Sequence, residues 1–387
     1  VVRYFHQVDD PYSHLAVQKL AALVKRYKVA FEPHLVGPPE AAFQGDAKRF
    51  VGWALQDAAA IAPGYGLSFG EEHLTQVLQP PPPDQVRTAQ QSLAQLLDTD
   101  VRDCAKGSIE LAHSVTDFAH AATTIGNALW QQQPISSNTA NAHRLTADAL
   151  NAHLQRANTL RTRLSTDKSL DLVCPPPMAQ ALPSGADVSQ ITLEYFPSLR
   201  SPYTAIGHSR VADLIHRTGV NVAVRPVMPM LMRGIPAPAN KQRYIISDAA
   251  REARYYNEPF GNFVDPFGDP VKRAFALFPA ASRQDKGLEF VGAYLRAAFA
   301  EGTDITSDTG LALVAQNAGL ELSNLQRAAT GDDWEAVLED NLQRMLAAGL
   351  WGVPSFRVSG GTDKDPFACW GQDRIWLVEN EITRRAN

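Results

Sequence analysis

Gly349-Leu350-Trp351-Gly352-Val353-Pro354-Ser355-Phe356-Arg357-Val358 reads as a helix stop leading into a short strand that opens on proline. Glycine ends helices because it takes the left-handed conformation without a Cβ penalty. Proline suits the first position of a strand because no ladder donor is needed there. Upstream, Trp334, Val337, Leu338, Leu342, Met345 and Leu346 recur with a helical period. Asp332, with Glu335 three residues on, is the expected N-cap of that helix. Downstream come the Gly360-Gly361 turn, a second short strand near Phe367–Trp370, and a final helix from about Asp373. Before all of these, Glu194-Tyr195-Phe196 is a strand end, Ala205 to Thr218 a helix, and Val220 to Val227 a second β-type run. Leu288, Val291, Leu295 and Phe299 mark a further helix. The order is β-α-β, a long helical stretch, then β-β-α.

The opening of this pattern occurs twice. Arg3-Tyr4-Phe5-His6-Gln7-Val8-Asp9-Asp10-Pro11-Tyr12-Ser13 matches Glu194-Tyr195-Phe196-Pro197-Ser198-Leu199-Arg200-Ser201-Pro202-Tyr203-Thr204 at an offset of 191 residues. In the first copy a helix from Leu15 to Tyr27 and a strand from Val29 to Val36 should follow, and Asp57-Ala58-Ala59 matches Asp248-Ala249-Ala250. Cys174-Pro175-Pro176-Pro177 and Pro183-Ser184-Gly185 form the natural linker between the copies. The expected division is residues 1–172, a proline-rich linker at 173–188, and residues 189–387. The first copy has no equivalent of Gly-Val-Pro or of Gly-Gln-Asp-Arg.

Composition narrows the function classes. The chain has 387 residues, 45% hydrophobic and 20% charged, with a net charge of -5. That is enough apolar material for two domains. Neither half is basic, so nucleic acid is not an expected partner. No apolar run approaches the ~18 residues of a membrane span, so no membrane partner is expected. With no basic, apolar leader in view, a cytoplasmic location is expected. Cys104, Cys174 and Cys369 form no C-x-x-C pair, and the ten histidines show no zinc spacing, so no metal is expected. Each cysteine reads as a small buried hydrophobe.

Three segments of the second copy carry the chemistry: Ser201-Pro202-Tyr203, Gly352-Val353-Pro354, and Trp370-Gly371-Gln372-Asp373-Arg374. Each also has a plainer reading. Ser201 suits an N-cap. Pro354 could be an ordinary trans proline. Asp373 could cap a helix with Arg374 in solvent.

Taken together in this order, the three segments resemble the DsbA-like branch of the thioredoxin superfamily that lost its cysteines. That branch holds the 2-hydroxychromene-2-carboxylate isomerases and kappa-class glutathione transferases. The resemblance spans Ile191 to Ile382, and Asp248 and Arg251 also fit it. The fold it implies is α/β, two thioredoxin-like (DsbA-type) domains each with a helical insertion, the first degenerate. It implies a cis Val353–Pro354 bond, with the backbone of Val353 pairing a tripeptide like an added strand. Ser201, as the catalytic residue, would support the thiolate of glutathione, a thiol cosubstrate. Pro202, Tyr203, Val353, Pro354, Gln372 and Asp373 would bind that cosubstrate, with Gln372 and Asp373 at its γ-glutamyl end. Arg233 or Lys241 would pair with the carboxylate of a small-molecule substrate. Met232-Arg233-Gly234-Ile235-Pro236 departs from the family pattern by lacking its asparagine and adding a cation. Asp10 takes the place of Ser201 in the first copy, and a carboxylate there would raise a thiol's pKa. That copy is therefore expected to be catalytically silent.

The resemblance implies a glutathione-dependent isomerase acting on a small aromatic or conjugated carboxylate. A kappa-like glutathione transferase and a non-catalytic thioredoxin-fold binding protein remain the alternatives, and a homodimer is compatible with each. A disulfide oxidoreductase is disfavoured by the missing C-x-x-C pair.

Overall fold

Pairing begins at the second residue: in the computed structural model Val2–His6 (β1) lies parallel to Phe31–Leu35 (β2), with Val2 opposite Phe31 and His6 opposite Leu35. The structure describes residues 1–27, 30–40, 43, 46–69, 79–103, 108–131, 173–331 and 333–386. Cys104 and Asp332 lie outside the described residues. The chain divides into two units, Val1–Pro177 and Met178–Asn387, and the division falls within the proline-rich stretch 173–188.

In the first unit two helices connect the strands, Pro11–Val17 (α1) and Leu20–Arg26 (α2), where the sequence suggests one from Leu15 to Tyr27. The break coincides with side chains that reach outward for backbone partners. Gln18 donates to the Ser68 carbonyl at 2.8 Å and accepts from its N–H at 3.0 Å, while Lys19 donates to the Tyr65 carbonyl at 3.1 Å. Three longer helices follow: Ala47–Ile61 (α3), Pro83–Asp103 (α4) and Ser108–Trp130 (α5). Leu20, Leu93, Phe118, Ile125 and Leu129 join one core in which α2, α4 and α5 pack with both strands. Among the described residues this unit has the β-α-β opening and helices, but not the antiparallel hairpin that closes a thioredoxin-type sheet.

Some contacts of the opening recur in the second unit at the sequence offset. Asp10 caps α1 by accepting from Ser13 N–H at 2.6 Å, and Ser201 accepts from Thr204 N–H at 3.1 Å. Tyr12 donates to Asp57 at 2.7 Å, and Tyr203 donates to Asp248 at 2.8 Å.

The second unit is built on Ile191–Phe196 (β3), Pro202–Thr218 (α6) and Asn221–Val224 (β4). The helical stretch then comprises Ala239–Tyr256 (α7), Asp269–Ser282 (α8), Gly287–Arg296 (α9), Asp308–Asn317 (α10), Leu322–Ala328 (α11) and Trp334–Ala347 (α12). Ser355–Gly360 (β5), Asp363–Trp370 (β6) and Ile375–Ala386 (α13) close the unit. The sheet order is β4-β3-β5-β6, with β4 parallel to β3 and β5 antiparallel to it. The cap of α12 is Asp333, accepting from Ala336 N–H at 3.0 Å, one residue later than expected. Gly349 ends that helix at φ 78°, as its position suggests.

β3 is one of the two interior strands and is buried along nearly its whole length. Ile191, Leu193 and Tyr195 pack one face against Val211, Leu214, Val378 and Ile382. Glu194 points the other way, buried, and binds Arg225 on one side and Arg357 on the other. Glu194→Ala should therefore lower the stability of this unit by about 3 kcal/mol, since it leaves two facing guanidinium groups without a counter-ion. Urea denaturation measures this directly. A loss below about 1 kcal/mol would mean the arginines swing fully into water, as exposed pairs do.

Candidate functional site

Four chain segments converge at one end of the sheet. β3 and β4 run parallel and deliver their C-terminal ends there. β5 runs oppositely, so its first residue Ser355 sits beside Phe196 at the end of β3. β6 returns Trp370 to Ser355. Ligands of α/β sheets gather at such strand ends. The segments carrying Ser201, Arg233, Val353-Pro354 and Gln372-Asp373 are therefore neighbours, although they span more than 170 positions of the chain.

Ser201 is the N-cap of α6, with extended φ/ψ of −106° and 116° and only 8% exposure. Pro202 follows at the first helical position, where its fixed φ fits and its missing N–H costs nothing. Accepting the Thr204 N–H leaves the Ser201 hydroxyl proton to donate. The helix N-terminus beside it favours a negative charge. Tyr203 is committed elsewhere: its hydroxyl donates to Asp248, which also receives Arg251 at 2.8 Å. Burial and the Asp248 carboxylate push the Tyr203 phenol well above its ordinary pKa.

The Val353–Pro354 peptide is cis. Its turn is held by Ser355, donating to the Gly352 carbonyl at 2.7 Å, and by Gly371 N–H donating to the Pro354 carbonyl at 2.9 Å. A Cβ on Gly352 would lie 2.1 Å from the Trp370 ring, so only glycine lets the indole pack this close to the turn. Arg233 reaches across from the short helix Met230–Arg233 and donates to the Trp351 carbonyl at 2.8 Å. Burial lowers its pKa to about 10, which leaves it a cation at neutral pH. Lys241 stands in the first turn of α7, half-buried, and burial lowers its pKa as well.

The two remaining residues differ sharply. Gln372 is buried, with its side chain turned inward: its amide donates to Glu252 at 3.1 Å and its carbonyl accepts from Arg210. Asp373 reaches solvent with a half-exposed carboxylate paired to Arg374. Gly207 of α6 meets this turn so closely that a Cβ there would lie 2.8 Å from that of Gln372.

Arg210, Glu252 and Tyr256 were not singled out from sequence, yet they form the wall behind Gln372. The Arg210 guanidinium lies 3.7 Å from the centre of the Tyr256 ring. Glu252 is 9% exposed, and its pKa is pushed up to about 7, mainly by burial and then by Asp373. A face spacing was there to be read: Asp248, Glu252 and Tyr256 recur every four residues on α7, one helical face.

Residues 192–383 match the model of the DSBA-like thioredoxin domain. The C-terminal unit is a DsbA-like thioredoxin domain. By sequence the chain is 23% identical over 199 residues to the 2-hydroxychromene-2-carboxylate isomerase of Sphingobium xenophagum, covering 49% of this chain and 97% of that protein. Among solved structures, a 2-hydroxychromene-2-carboxylate isomerase shows 20% identity and a TM-score of 0.41, covering 50% of this chain and 95% of that one. The cytosolic disulfide reductase DsbM of Pseudomonas aeruginosa shows 20% identity and a TM-score of 0.41, covering 51% and 100%. In the DsbA-like domain described here, Ser201 stands at the start of α6, and the domain's one cysteine, Cys369, is buried on β6. Among the described residues no helix is long and apolar enough to cross a membrane.

Proposed function

We propose that the DsbA-like domain binds glutathione as a thiol cosubstrate and isomerises a small aromatic or conjugated carboxylate, in the manner of a 2-hydroxychromene-2-carboxylate isomerase. The observation that carries this is Ser201: a buried hydroxyl with a proton to give, at a helix N-terminus, in a domain type otherwise associated with cysteine chemistry. A hydroxyl donor and a helix N-terminus both favour thiolate over thiol. The 23% identical isomerase supports the reaction type.

In this reading the bound thiolate adds to the conjugated carbon of the substrate, forming a C–S bond and an enolate. The former double bond is now single and rotates. Collapse of the enolate expels the thiolate and restores the double bond in its other geometry. No electrons are lost or gained, and glutathione is returned. Arg233, a cation beside the cis-proline turn, pairs with the substrate carboxylate, with Lys241 in the first turn of α7 as the second candidate cation. Asp373, half-exposed at its turn, takes the ammonium of the γ-glutamyl end. Gln372 contributes through its backbone only, since its amide is engaged by Arg210 and Glu252.

The first unit is read as a silent copy of the same fold. Its support is the matched capping and Tyr–Asp contacts at the same offset, with a carboxylate, Asp10, in place of the hydroxyl.

Titration calorimetry of glutathione into the full chain is the direct test, with saturable binding expected. Turnover of a conjugated aromatic carboxylate with glutathione undiminished supports the isomerase. Stoichiometric loss of glutathione would instead make it a kappa-like transferase, and binding without any turnover a non-catalytic binding protein. Absence of binding would remove the isomerase and the transferase readings and leave the non-catalytic thioredoxin-fold binding protein.

A further inference from the structure

A hydrogen-bonded chain crosses the wall behind the site. Arg210 of α6 donates to the Gln372 side-chain carbonyl, and through a second nitrogen to the Gln372 backbone carbonyl at 3.3 Å. The Gln372 amide then donates to Glu252 of α7 at 3.1 Å. An amide fixed at both ends has one orientation, and so does the turn that carries it. Asp373 is the next residue, so its position follows from a pair of side chains on two other helices.

We propose that Glu252 is a positioning residue of this site: acting through the Gln372 amide it holds the turn that presents Asp373, and its charge state sets how strongly that turn holds a ligand ammonium group. The identity of the ligand rests on the glutathione reading above.

The groups around Glu252 come from three elements. Asp248, Arg251, Tyr255 and Tyr256 share α7 with it. Arg210 faces it from α6, and Gln372 and Asp373 from the turn, where Asp373 is paired with Arg374. Arg210 and the Gln372 amide favour the carboxylate, whereas burial, Asp373 and Asp248 oppose it. The balance leaves this carboxyl to change charge near neutrality. Above that point Glu252 and Asp373 are both anionic and together attract an ammonium group. Below it, Asp373 acts alone.

The test uses S-methylglutathione, whose ammonium is intact and whose sulfur cannot ionise, so the chemistry of Ser201 does not enter. For the native chain, binding should be about tenfold weaker near ~pH 6 than near ~pH 8, the effect of about one pKa unit of coupling. Glu252→Gln keeps an oxygen that can accept from Gln372 but has no charge. It should bind at the native acidic-side strength across the whole range. Glu252→Ala loses the acceptor too and should bind more weakly at every pH. Identical pH profiles for the native chain and Glu252→Gln would overturn the proposal, as would native-strength binding by Glu252→Ala.

If the native chain takes no S-methylglutathione at any pH, the glutathione reading fails by itself. The charge switch is then read on the protein alone, by carbon-13 NMR of labelled glutamate. A Glu252 carboxyl that titrates near about pH 7 and shifts downward in Asp373→Asn supports it, because removing a nearby anion eases ionisation. A Glu252 carboxyl that does not titrate between about pH 6 and 8 overturns it.

Discussion

Ser201→Ala should lower glutathione-dependent turnover by on the order of 10²–10³ if the hydroxyl donates to the thiolate as an oxyanion-hole group does. The loss shrinks if the N–H groups at the start of α6 share the task, since they remain in the variant. The same substitution removes the α6 cap, so a stability loss of about 1 kcal/mol should accompany it. Circular dichroism and a denaturation curve separate the two effects. A rate loss of 10² cannot come from a domain that stays folded with its cap alone missing. Asp10→Ala is the matched control in the first unit. It too loses a cap, so it should cost about 1 kcal/mol, with turnover unchanged. A large rate effect from Asp10 would place the active site in the first unit and overturn its assignment to the second, and equal small rate effects from both would favour a binding protein.

Acid should unfold the chain through its buried histidines, and the first unit should go more steeply. His6 and His14 lie in that unit at 3% and 1% exposure, and His208 lies in the second at 7%. Burial lowers the pKa of His6 and His208 to about 4 and that of His14 to about 3. Each is therefore neutral when folded and readily protonated when unfolded. The unfolded chain binds the extra protons, so stability is fully present above the unfolded value near ~6.5 and falls as pH drops toward the folded values. Each such histidine contributes a slope of up to about 1.4 kcal/mol per pH unit over that window. The first unit, with two, should lose up to about 2.7 kcal/mol per unit, and the second much less, because Glu252, raised to about 7 in the folded state, takes up a proton on folding and offsets His208 over the same window. Thermal or urea unfolding from about pH 7 to about pH 4.5, followed by a probe in each unit, checks the ratio. Equal slopes would mean that His14 or His6 finds a partner that accepts its proton. His14 has Gln18 and Asn127 beside it, but burial outweighs what they offer its charged form, and its ring lies so close to Gly126 that a Cβ there would lie 2.2 Å from Nδ1.

Local signals determined much of this protein. The order of strands and helices in the second half, the Gly349 stop, the proline-led β5 and the hydroxyl-then-proline start of α6 were all legible. Periodicity, caps and turn residues act within a few positions, so a sequence displays them directly. The cis Val353–Pro354 bond was anticipated through family resemblance. Local signals also misled where a long-range contact intervened. The helix expected from Leu15 to Tyr27 is interrupted at Gln18 and Lys19, whose side chains bind backbone some 46 to 50 residues away.

Tertiary structure alone decided the working surroundings of the site. The family resemblance makes Gln372 a candidate ligand-binding residue, but the fold sets Arg210 on one side of it and Glu252 on the other and turns its amide inward. Glu194 has the look of a solvent-facing strand residue until two arginines from neighbouring strands close over it. Glu252 is one of many helix glutamates in the sequence, and only burial beside Asp373 moves its ionisation toward neutrality. Charge and hydrogen-bond partners depend on which distant segments meet and on how much water they exclude. Neither quantity is written along the chain, so the sequence determined the frame of this domain and packing determined the chemistry of its side chains.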